Sequence, residues 1–307
     1  MVNRQTSTFL KQRMEEAGIR PVSKFGQNFL IDLNLVNMIA DSANLTEQDV
    51  ALEVGTGTGS LTGLIAQKAG RVITVEIDQN LWQLAQEELA GFSNITFLQQ
   101  DALRNKNNLN PILVDTIRQA MSEIEGARLK LVANLPYNIA TPLISNLLTL
   151  DEFVPTSMTV TIQKELAERI VARPGTKDFG ALSLWIQAQC NPEIVRIMSP
   201  KVFWPRPKVD SAIIHIETDT AKRNRIPDLA YYHHFVRSLF IHRRKLLRGV
   251  LVSVFKNELS KQDIDTVLEG INLTGSIRAE QLAVPVIFEL CERFRVLQQT
   301  KEEEAKV

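Results

Sequence analysis

Apolar and polar positions follow two different patterns along this chain. Up to about residue 217, short apolar runs typical of buried strands alternate with stretches whose apolar positions recur every three or four residues, as in helices. The predicted strands are 50–53, which ends at Glu53, 71–77, 94–98, 129–133, 158–162, 182–189, 194–198 and 211–217. Strand–helix alternation early and adjacent strands late predict an α/β fold with a mostly parallel sheet and an antiparallel edge.

In the first part of the chain, helical periodicity occurs before and between the predicted strands. After about Thr218 it is the only pattern. The early helices are predicted at 6–17, 33–43, 79–89, within 102–127, and at 141–150 and 163–171, with Asp32 and Asp78 as N-caps. The later helices are predicted near 229–242, 243–256, 261–269, 278–281 and 284–298. This second set predicts a small all-α domain.

Three glycines follow the first predicted strand, at Gly55, Gly57 and Gly59, and a helical pattern starts at once. A strand, a tight turn and a helix N-terminus together can cradle a nucleoside-like cofactor. A plain βα connection is one alternative. A nicotinamide-type turn is another, but it requires Gly-x-Gly-x-x-Gly, and here the third glycine comes one place early, with Ser60 at the last position.

Acidic residues end the next two strands. Glu76, about 20 residues past the glycines, is placed to accept hydrogen bonds from ribose hydroxyls. Asp101 could accept from an adenine amino group, although acids after strands also serve simply as helix caps. The loop Lys24–Leu30 could fold over a ligand or form a hydrophobic staple ahead of the next helix.

The fourth strand runs into Asn134-Leu135-Pro136-Tyr137, at the edge of the sheet where ligands bind in open α/β folds. The amide oxygen of Asn134 and the carbonyl of Leu135 could accept the two hydrogens of an adenine amine and so make its nitrogen more nucleophilic. Pro136 fixes the backbone, and the Tyr137 ring could stack on an extruded base. The alternative is an ordinary strand-ending turn.

Charged residues are balanced over the whole chain but unevenly distributed along it. Lys+Arg and Asp+Glu balance at 35 each, so any nucleic-acid footprint must be confined to one region. Residues 201–250 contain eleven Lys or Arg and four Asp or Glu, whereas 258–307 contain six and ten. The basic group Arg243, Arg244, Lys245 and Arg248 is either a solvated helix face or a phosphate-binding surface.

Several classes of protein are excluded by composition. Cys190 and Cys291 are far apart and lack the CxxC spacing, which predicts reduced core cysteines in a cytosolic protein. None of the four histidines stands in a metal-ligand spacing, so no metal is expected. No apolar run reaches the ~20 residues needed to cross a bilayer.

Eight motifs together resemble the ribosomal RNA adenine N6,N6-dimethyltransferases of the KsgA kind, in the family's order and over nearly the whole length. They are Phe25–Leu30, Glu53–Gly59, Val75–Asp78, Gln100–Leu103, Asn134–Tyr137, Phe203–Ser211, Arg243–Arg248 and Arg278–Leu282. Thr56 departs from the family, which usually has proline there. The stretch between Asp101 and Asn134 is longer than usual, and its role is open.

The resemblance implies a class I methyltransferase fold, Rossmann-like with seven strands, and S-adenosylmethionine as methyl donor. It implies a methyltransferase domain over 1–217 and a helical domain over 218–307 that assists rRNA binding. The expected substrate is two adjacent adenosines near the 3′ end of 16S rRNA in a pre-30S particle. The protein is expected to be a cytoplasmic monomer with no membrane partner.

The resemblance also assigns individual residues. The implied cofactor-binding residues are Asn28, Leu30, Gly55, Glu76, Asp101 and Asn134. Phe203, from the proline-rich loop, is a candidate second wall for the base beside the catalytic stretch Asn134–Tyr137. The alternatives are a large-subunit rRNA methyltransferase of the macrolide-resistance type and a non-catalytic RNA-binding assembly or transcription factor. Leu135 and the long helical C-terminal part favour the small-subunit type.

Overall fold

The computed structural model describes Thr8, Gln12, Met14, Glu16, Gly18, Pro21 and residues 26–242 and 245–304. The helix predicted over 6–17 lies outside these residues except for Thr8, Gln12, Met14 and Glu16, which are helical. The chain forms two compact units, one of 1–167 with 192–218 and one of 168–191 with 219–307. The predicted functional division at 217/218 remains a prediction, and the compact units differ from it in residues 168–191.

Eleven strands lie in the described part of the chain. They are β1 (Phe29–Leu30), β2 (Asp49–Val54), β3 (Arg71–Glu76), β4 (Ile95–Gln99), β5 (Leu103–Asn105), β6 (Asn108–Leu109), β7 (Arg128–Asn134), β8 (Ser157–Gln163), β9 (Cys190–Met198), β10 (Phe203–Trp204) and β11 (Ser211–Thr218). Seven of them form one sheet in the order β4-β3-β2-β7-β8-β11-β9. The neighbours from β4 to β8 are parallel, and β11 is antiparallel to β8. The predicted mostly parallel seven-stranded sheet is confirmed.

The strand order reverses beside β2, which lies between β3 and β7. Every residue of β2 is buried, as expected for a parallel strand covered by helices on both faces. The chain moves outward from β2 to β3 and β4 and then returns to β7. Because such a reversal opens a crevice at the carboxyl ends of the strands, the ends of β2 and β7 are the expected ligand site.

Helices cover the sheet of the first unit. They are α1 (Leu33–Ser42), α2 (Ser60–Ala66), α3 (Gln79–Glu88), α4 (Pro111–Ser122) and α5 (Ala140–Leu147). Helix α6 (Lys164–Ile170) begins in the first unit and ends in the second. The two predicted N-caps are confirmed, since Asp32 accepts from the backbone of Asn34 and Leu35 and Asp78 accepts from Asn80 and Leu81.

The stretch between Asp101 and β7 holds a short antiparallel hairpin and one helix. The predicted helix there is confirmed as α4, which begins at Pro111 and is capped by Asn110. The hairpin, β5 paired with β6, was not predicted because its strands are only three and two residues long.

The second unit is helical. Its helices are α7 (Ala181–Gln187), α8 (Thr220–Arg223), α9 (Leu229–Leu239), α10 (Leu247–Val254), α11 (Lys261–Gly270) and α12 (Val284–Glu304), with a 3-10 turn at Ala279–Gln281. Their core is aromatic: Phe235, Phe255 and Phe294 form a cluster in which the rings of Phe255 and Phe294 stack 4.5 Å apart.

The strand predicted over 182–189 is wrong. The segment is helix α7, in which Ser183, Leu184, Trp185 and Ile186 are all buried. Alternation of apolar and polar residues predicts a strand only if one face meets water, and this segment has no such face. Ser183 supports the helix start by accepting a hydrogen bond from the Gly180 N–H and donating one to the Arg169 carbonyl.

None of the described helices combines the length and apolar character required to cross a bilayer. Within the described ranges, no group of three or more His, Cys, Asp or Glu side chains could hold a metal ion.

Candidate active site

Two glycines of the turn between β2 and α2, Gly55 and Gly57, lie close against neighbouring segments of the chain. Gly55 has φ +89°, and its N–H donates to the Val75 carbonyl. A Cβ on Gly55 would lie 3.3 Å from Pro136 Cδ, and one on Gly57 would lie 3.3 Å from the Phe29 ring. The turn therefore brings β2 into direct contact with the predicted catalytic stretch and with β1.

One cleft at the carboxyl ends of β2, β3 and β7 collects most of the predicted site residues. It encloses about 730 Å³ of empty space, including its open mouth. The predicted residues that line it are Asn28, Gly55, Glu76, Asp101, Asn134, Leu135 and Pro136. Residues taken from well-separated parts of the sequence thus meet where the topology places a ligand.

Glu76 is held at the floor of the cleft by backbone donors. One carboxylate oxygen accepts from the Gly57 N–H at 3.0 Å, and the other accepts from the N–H groups of Ile77 and Asp78, both at 3.0 Å. Burial raises the pKa of Glu76, and these hydrogen bonds partly offset the rise. The fixed carboxylate retains lone pairs that can accept from a vicinal diol.

Asp101 and its neighbour Gln100 also line the cleft. One oxygen of Asp101 accepts from the Leu103 N–H at 2.9 Å, and the residue is exposed, so its other oxygen can accept from a ligand. The side-chain nitrogen of Gln100 is buried and has no hydrogen-bond partner in the described part of the chain. Such an orphan donor in a cleft indicates a missing acceptor. Gln100 belongs to one of the sequence motifs, but no role in the site was predicted for it.

Asn134 is oriented by a hydrogen bond to Asn28, the residue that precedes β1. Its side-chain nitrogen donates to the Asn28 carbonyl at 2.9 Å. This bond fixes which way the amide faces, and the side-chain oxygen has no hydrogen-bond partner among the described residues. Asn134 therefore presents a free acceptor to the cleft.

Leu135 supplies a second acceptor in the same place. Its N–H donates to the Thr161 carbonyl of β8 at 3.2 Å, and its side chain is buried. Its own carbonyl takes part in no hydrogen bond within the described ranges. Pro136 follows and lies against Gly55. Two acceptors, one from a side chain and one from the backbone, thus stand next to each other at the end of β7.

Tyr137 lies beside the cleft, not in its lining. Its hydroxyl and the Ser211 hydroxyl are hydrogen-bonded at 2.5 Å. Burial raises the pKa of Tyr137, and the bond to Ser211 partly offsets the rise. Because Ser211 begins β11 and is fully buried, this contact anchors the ring to the sheet.

Two predicted residues have core positions instead. Phe203 is only 2% exposed and packs with Leu30 in the hydrophobic core, where β10 pairs with β1. It does not present a ring face to the cleft, so its role as a second wall for a base finds no support in this arrangement. Leu30 lines a smaller neighbouring cavity that Gly55 and Asn134 also line.

A family model decides the identity of the chain. The model described as "Ribosomal RNA adenine dimethylase" matches residues 20–288. The chain belongs to the ribosomal RNA adenine dimethylase family.

Relatives with the same assignment cover most of the chain. Ribosomal RNA small subunit methyltransferase A of Alkaliphilus metalliredigens is 38% identical over 275 residues, which is 89% of this chain and 92% of the relative. The protein of that name from Ligilactobacillus salivarius is 37% identical over 88% of this chain and 89% of its own length. The family assignment confirms that this dimethylase is an S-adenosylmethionine-dependent rRNA methyltransferase, as the resemblance implied.

Solved structures share the fold. A dimethyladenosine transferase from Plasmodium falciparum aligns with a TM-score of 0.71 and 23% identity, covering 86% of this chain and 96% of that one. The 23S rRNA methyltransferase ErmE aligns with a TM-score of 0.60 and 23% identity, covering 87% and 99%. The predicted class I methyltransferase fold is confirmed.

The cleft of this dimethylase fits S-adenosylmethionine. The turn at Gly55 and Gly57 leaves space that a Cβ would fill, Glu76 can accept from the ribose hydroxyls, and Asp101 can accept from the adenine amine. The orphan donor of Gln100 adds a group that can serve a ring nitrogen of the adenine. These five residues would hold the cofactor.

Glu53 lies buried beneath the glycine turn. One of its oxygens accepts from the Thr62 hydroxyl at 2.6 Å and from the Thr74 hydroxyl at 2.7 Å. Burial raises the pKa of Glu53 to about 8, against the opposing effect of these two bonds. The sequence indicated only that Glu53 ends an apolar run, and did not indicate that its proton would titrate near neutral pH.

The predicted RNA-binding residues differ in their surroundings. Arg243 and Arg244 lie outside the described residues. Lys245 is exposed. Arg248 is held by both oxygens of Asp265, at 2.6 and 2.7 Å, and this pair raises the pKa of Arg248. Lys245 is thus available to bind a phosphate, whereas the charge of Arg248 is paired with that of Asp265.

Proposed function

We propose that this dimethylase transfers methyl groups to N6 of two adjacent adenosines near the 3′ end of small-subunit rRNA, giving N6,N6-dimethyladenosine in a pre-30S particle. The small-subunit assignment is supported by the names of relatives that are 34–38% identical to the chain. We further propose that it acts as a cytoplasmic monomer and that residues 218–307 assist rRNA binding.

The arrangement at the end of β7 carries this proposal. Asn134 donates to the Asn28 carbonyl and thereby turns its own side-chain oxygen toward the cleft, beside the carbonyl of Leu135. An exocyclic adenine amine is a poor nucleophile because its lone pair is delocalised into the ring. Two acceptors on its two hydrogens favour a pyramidal nitrogen and raise its electron density.

The remaining residues position the reactants. When bound, S-adenosylmethionine supplies an electrophilic methyl group on a sulfonium. Tyr137, anchored by Ser211, offers a flat face on which an extruded base can stack. No general base is required, because the methylated nitrogen is cationic and acidic, and Asn134, Leu135 or solvent can accept its proton. Most of the acceleration then comes from orientation.

RNA affinity is assigned to basic residues outside the cleft. Lys245, with the neighbouring Arg243 and Arg244, would neutralise phosphates of the rRNA. This part of the proposal is supported by the excess of Lys and Arg over Asp and Glu in residues 201–250.

The test is methyl transfer from tritiated S-adenosylmethionine to immature small subunits and, in parallel, to large subunits. We expect label only in small-subunit rRNA, recovered as N6,N6-dimethyladenosine after digestion to nucleosides. The Asn134→Ala variant serves as the control for contaminating activity. Label in the large subunit would support the macrolide-resistance type instead, and the absence of label in both would support a non-catalytic factor.

A further inference from the structure

The β5–β6 hairpin, residues 103–109, carries a positive charge that the site described above does not use. Its ends are anchored by the buried side chains of Leu103 and Leu109, which are 8% exposed each. The five residues between them are all exposed: Arg104, Asn105, Lys106, Asn107 and Asn108. The hairpin therefore presents two cations and three amides to solvent and no acid.

Neither cation of the hairpin is neutralised. Arg104 and Lys106 take part in no side-chain hydrogen bond or ion pair anywhere in the described part of the chain. By contrast, Lys68 in the same unit is paired with Asp41, and Arg71 is paired with Glu123. Unpaired Arg and Lys side chains beside amide groups are the set that binds nucleic-acid phosphates and sugars.

The hairpin is held in one shape before any partner binds. The side-chain oxygen of Asn105 accepts from the Asn107 N–H at 2.9 Å and from the Asn108 side chain at 3.0 Å, which closes the tip. The Asn146 side chain donates to the Lys106 carbonyl at 3.3 Å and ties the tip to α5. A preformed surface loses little conformational entropy on binding.

The hairpin lies next to the reaction site. It follows Asp101 and Ala102, which line the cleft, and Asn110 at its far end bonds to the carbonyls of both residues. The helix that holds its tip, α5, begins three residues after Tyr137. A polynucleotide whose base entered the cleft would therefore bring its flanking backbone to this edge of the sheet.

We propose that the β5–β6 hairpin binds the phosphate backbone of the rRNA that flanks the target adenosine, through Arg104 and Lys106. The inference rests on the proposed function for the identity of the RNA. It adds a contact surface within the methyltransferase part of the chain, separate from the basic residues around Lys245. It also gives a role to part of the segment between Asp101 and Asn134, whose role the sequence left open.

The test compares two double variants in binding to fluorescently labelled small-subunit rRNA at a series of salt concentrations. Arg104→Gln with Lys106→Gln removes the hairpin charges and keeps Asn105, which shapes the tip. Lys68→Gln with Arg71→Gln is the matched control, because it also removes two cations. Arg71 begins β3 and so lies at the opposite edge of the sheet from the hairpin.

For the hairpin variant we expect Kd to rise about tenfold near 0.15 M salt, and the slope of log K against log salt to become shallower by about 0.7–0.9 for each lost contact. S-adenosylmethionine affinity should not change, which shows that the fold is intact. A salt slope equal to that of the unchanged protein, or an equal loss in the control, would overturn the inference.

The two proposals fail separately in this design. If the unchanged protein methylates small subunits and the hairpin variant binds RNA normally, only the proposed role of the hairpin is contradicted. If the unchanged protein binds the RNA without methylating it, the proposed function is contradicted, and the salt slopes still decide the role of the hairpin. If the unchanged protein does not bind the RNA, both proposals are contradicted.

Discussion

The side-chain nitrogen of Asn134 donates a hydrogen bond to the backbone carbonyl of Asn28, and the two atoms are 2.9 Å apart. These residues are 106 positions apart in the chain, so the contact joins the N-terminal segment to the end of the central strand β7. Because the amide nitrogen of Asn134 is hydrogen-bonded to Asn28, the amide oxygen is left to face the cleft. The same contact explains why a segment before the sheet belongs to the active site.

Gly55→Ala is expected to weaken cofactor binding. The new Cβ would meet Pro136 at 3.3 Å, and the positive φ of +89° is unfavourable for alanine. We expect a loss of about 1–2 kcal/mol in the free energy of unfolding and a weaker affinity for S-adenosylmethionine by calorimetry. Gly91→Ala is the control, since nothing lies within 4 Å of its new Cβ. Equal behaviour of the two variants would contradict the contact with Pro136.

Glu53 is expected to make stability depend on pH. Its folded pKa of about 8 lies above the ordinary value of 4.5 because the carboxyl is buried. Between these values the folded state binds the proton more tightly than the unfolded state, so the free energy of unfolding should fall as pH rises, by up to about 1.4 kcal/mol per pH unit.

Urea unfolding from pH 5 to 9 checks this expectation against Glu53→Gln, which can still accept from Thr62 and Thr74. The difference in stability between the two proteins should change between about pH 5 and 8 and then level off, in favour of the glutamine variant. A difference that stayed constant with pH would show that Glu53 is ionised throughout.

Tyr137 should contribute through its ring more than through its hydroxyl. Tyr137→Phe keeps the stacking surface and loses only the bond to Ser211, whereas Tyr137→Ala loses the surface itself. For Tyr137→Ala we expect kcat/KM for rRNA to fall roughly 5- to 150-fold, the equivalent of 1–3 kcal/mol of base stacking. For Tyr137→Phe the fall should be much smaller. An equal fall in both variants would assign the role to the hydroxyl.

Lys245 and Arg248 should respond differently to loss of charge. Lys245→Gln is expected to make the salt dependence of RNA binding shallower by about 0.7–0.9 and to leave stability unchanged. Arg248→Gln breaks the solvent-exposed pair with Asp265, so it should lower the free energy of unfolding only slightly and leave the salt slope nearly unchanged. A reversed result would show that Arg248 is the phosphate contact.

Features that depend on one continuous stretch could be predicted from the sequence. The buried strand β2, the glycine turn and the position of Asn134 after β7 each follow from a local pattern of apolar residues and glycines. The parallel sheet then brings those stretches together, because parallel strands end at one edge. This is why Gly55, Glu76, Asp101 and Asn134 could be assigned to one cleft, whereas Asn28 was assigned only through the family resemblance.

Features that depend on partners distant in sequence could not be predicted. Helix α7 is buried all round, so its apolar positions carried no usable period. Phe203 has the composition of a loop aromatic, but pairing of β10 with β1 places it in the core. Arg248 was predicted to belong to a basic surface, but its guanidinium donates to both carboxylate oxygens of Asp265. In each case the missing information was a tertiary contact.

The central claim is that the Asn134 side-chain oxygen, together with the Leu135 carbonyl, makes the adenine amine reactive. The most direct test is the single-turnover rate of methyl transfer by Asn134→Ala at saturating S-adenosylmethionine, with Asn37→Ala on the exposed face of α1 as the control. We expect a fall of roughly 100-fold or more, with the cofactor still bound and the control unchanged. A near-normal rate for Asn134→Ala would contradict the account.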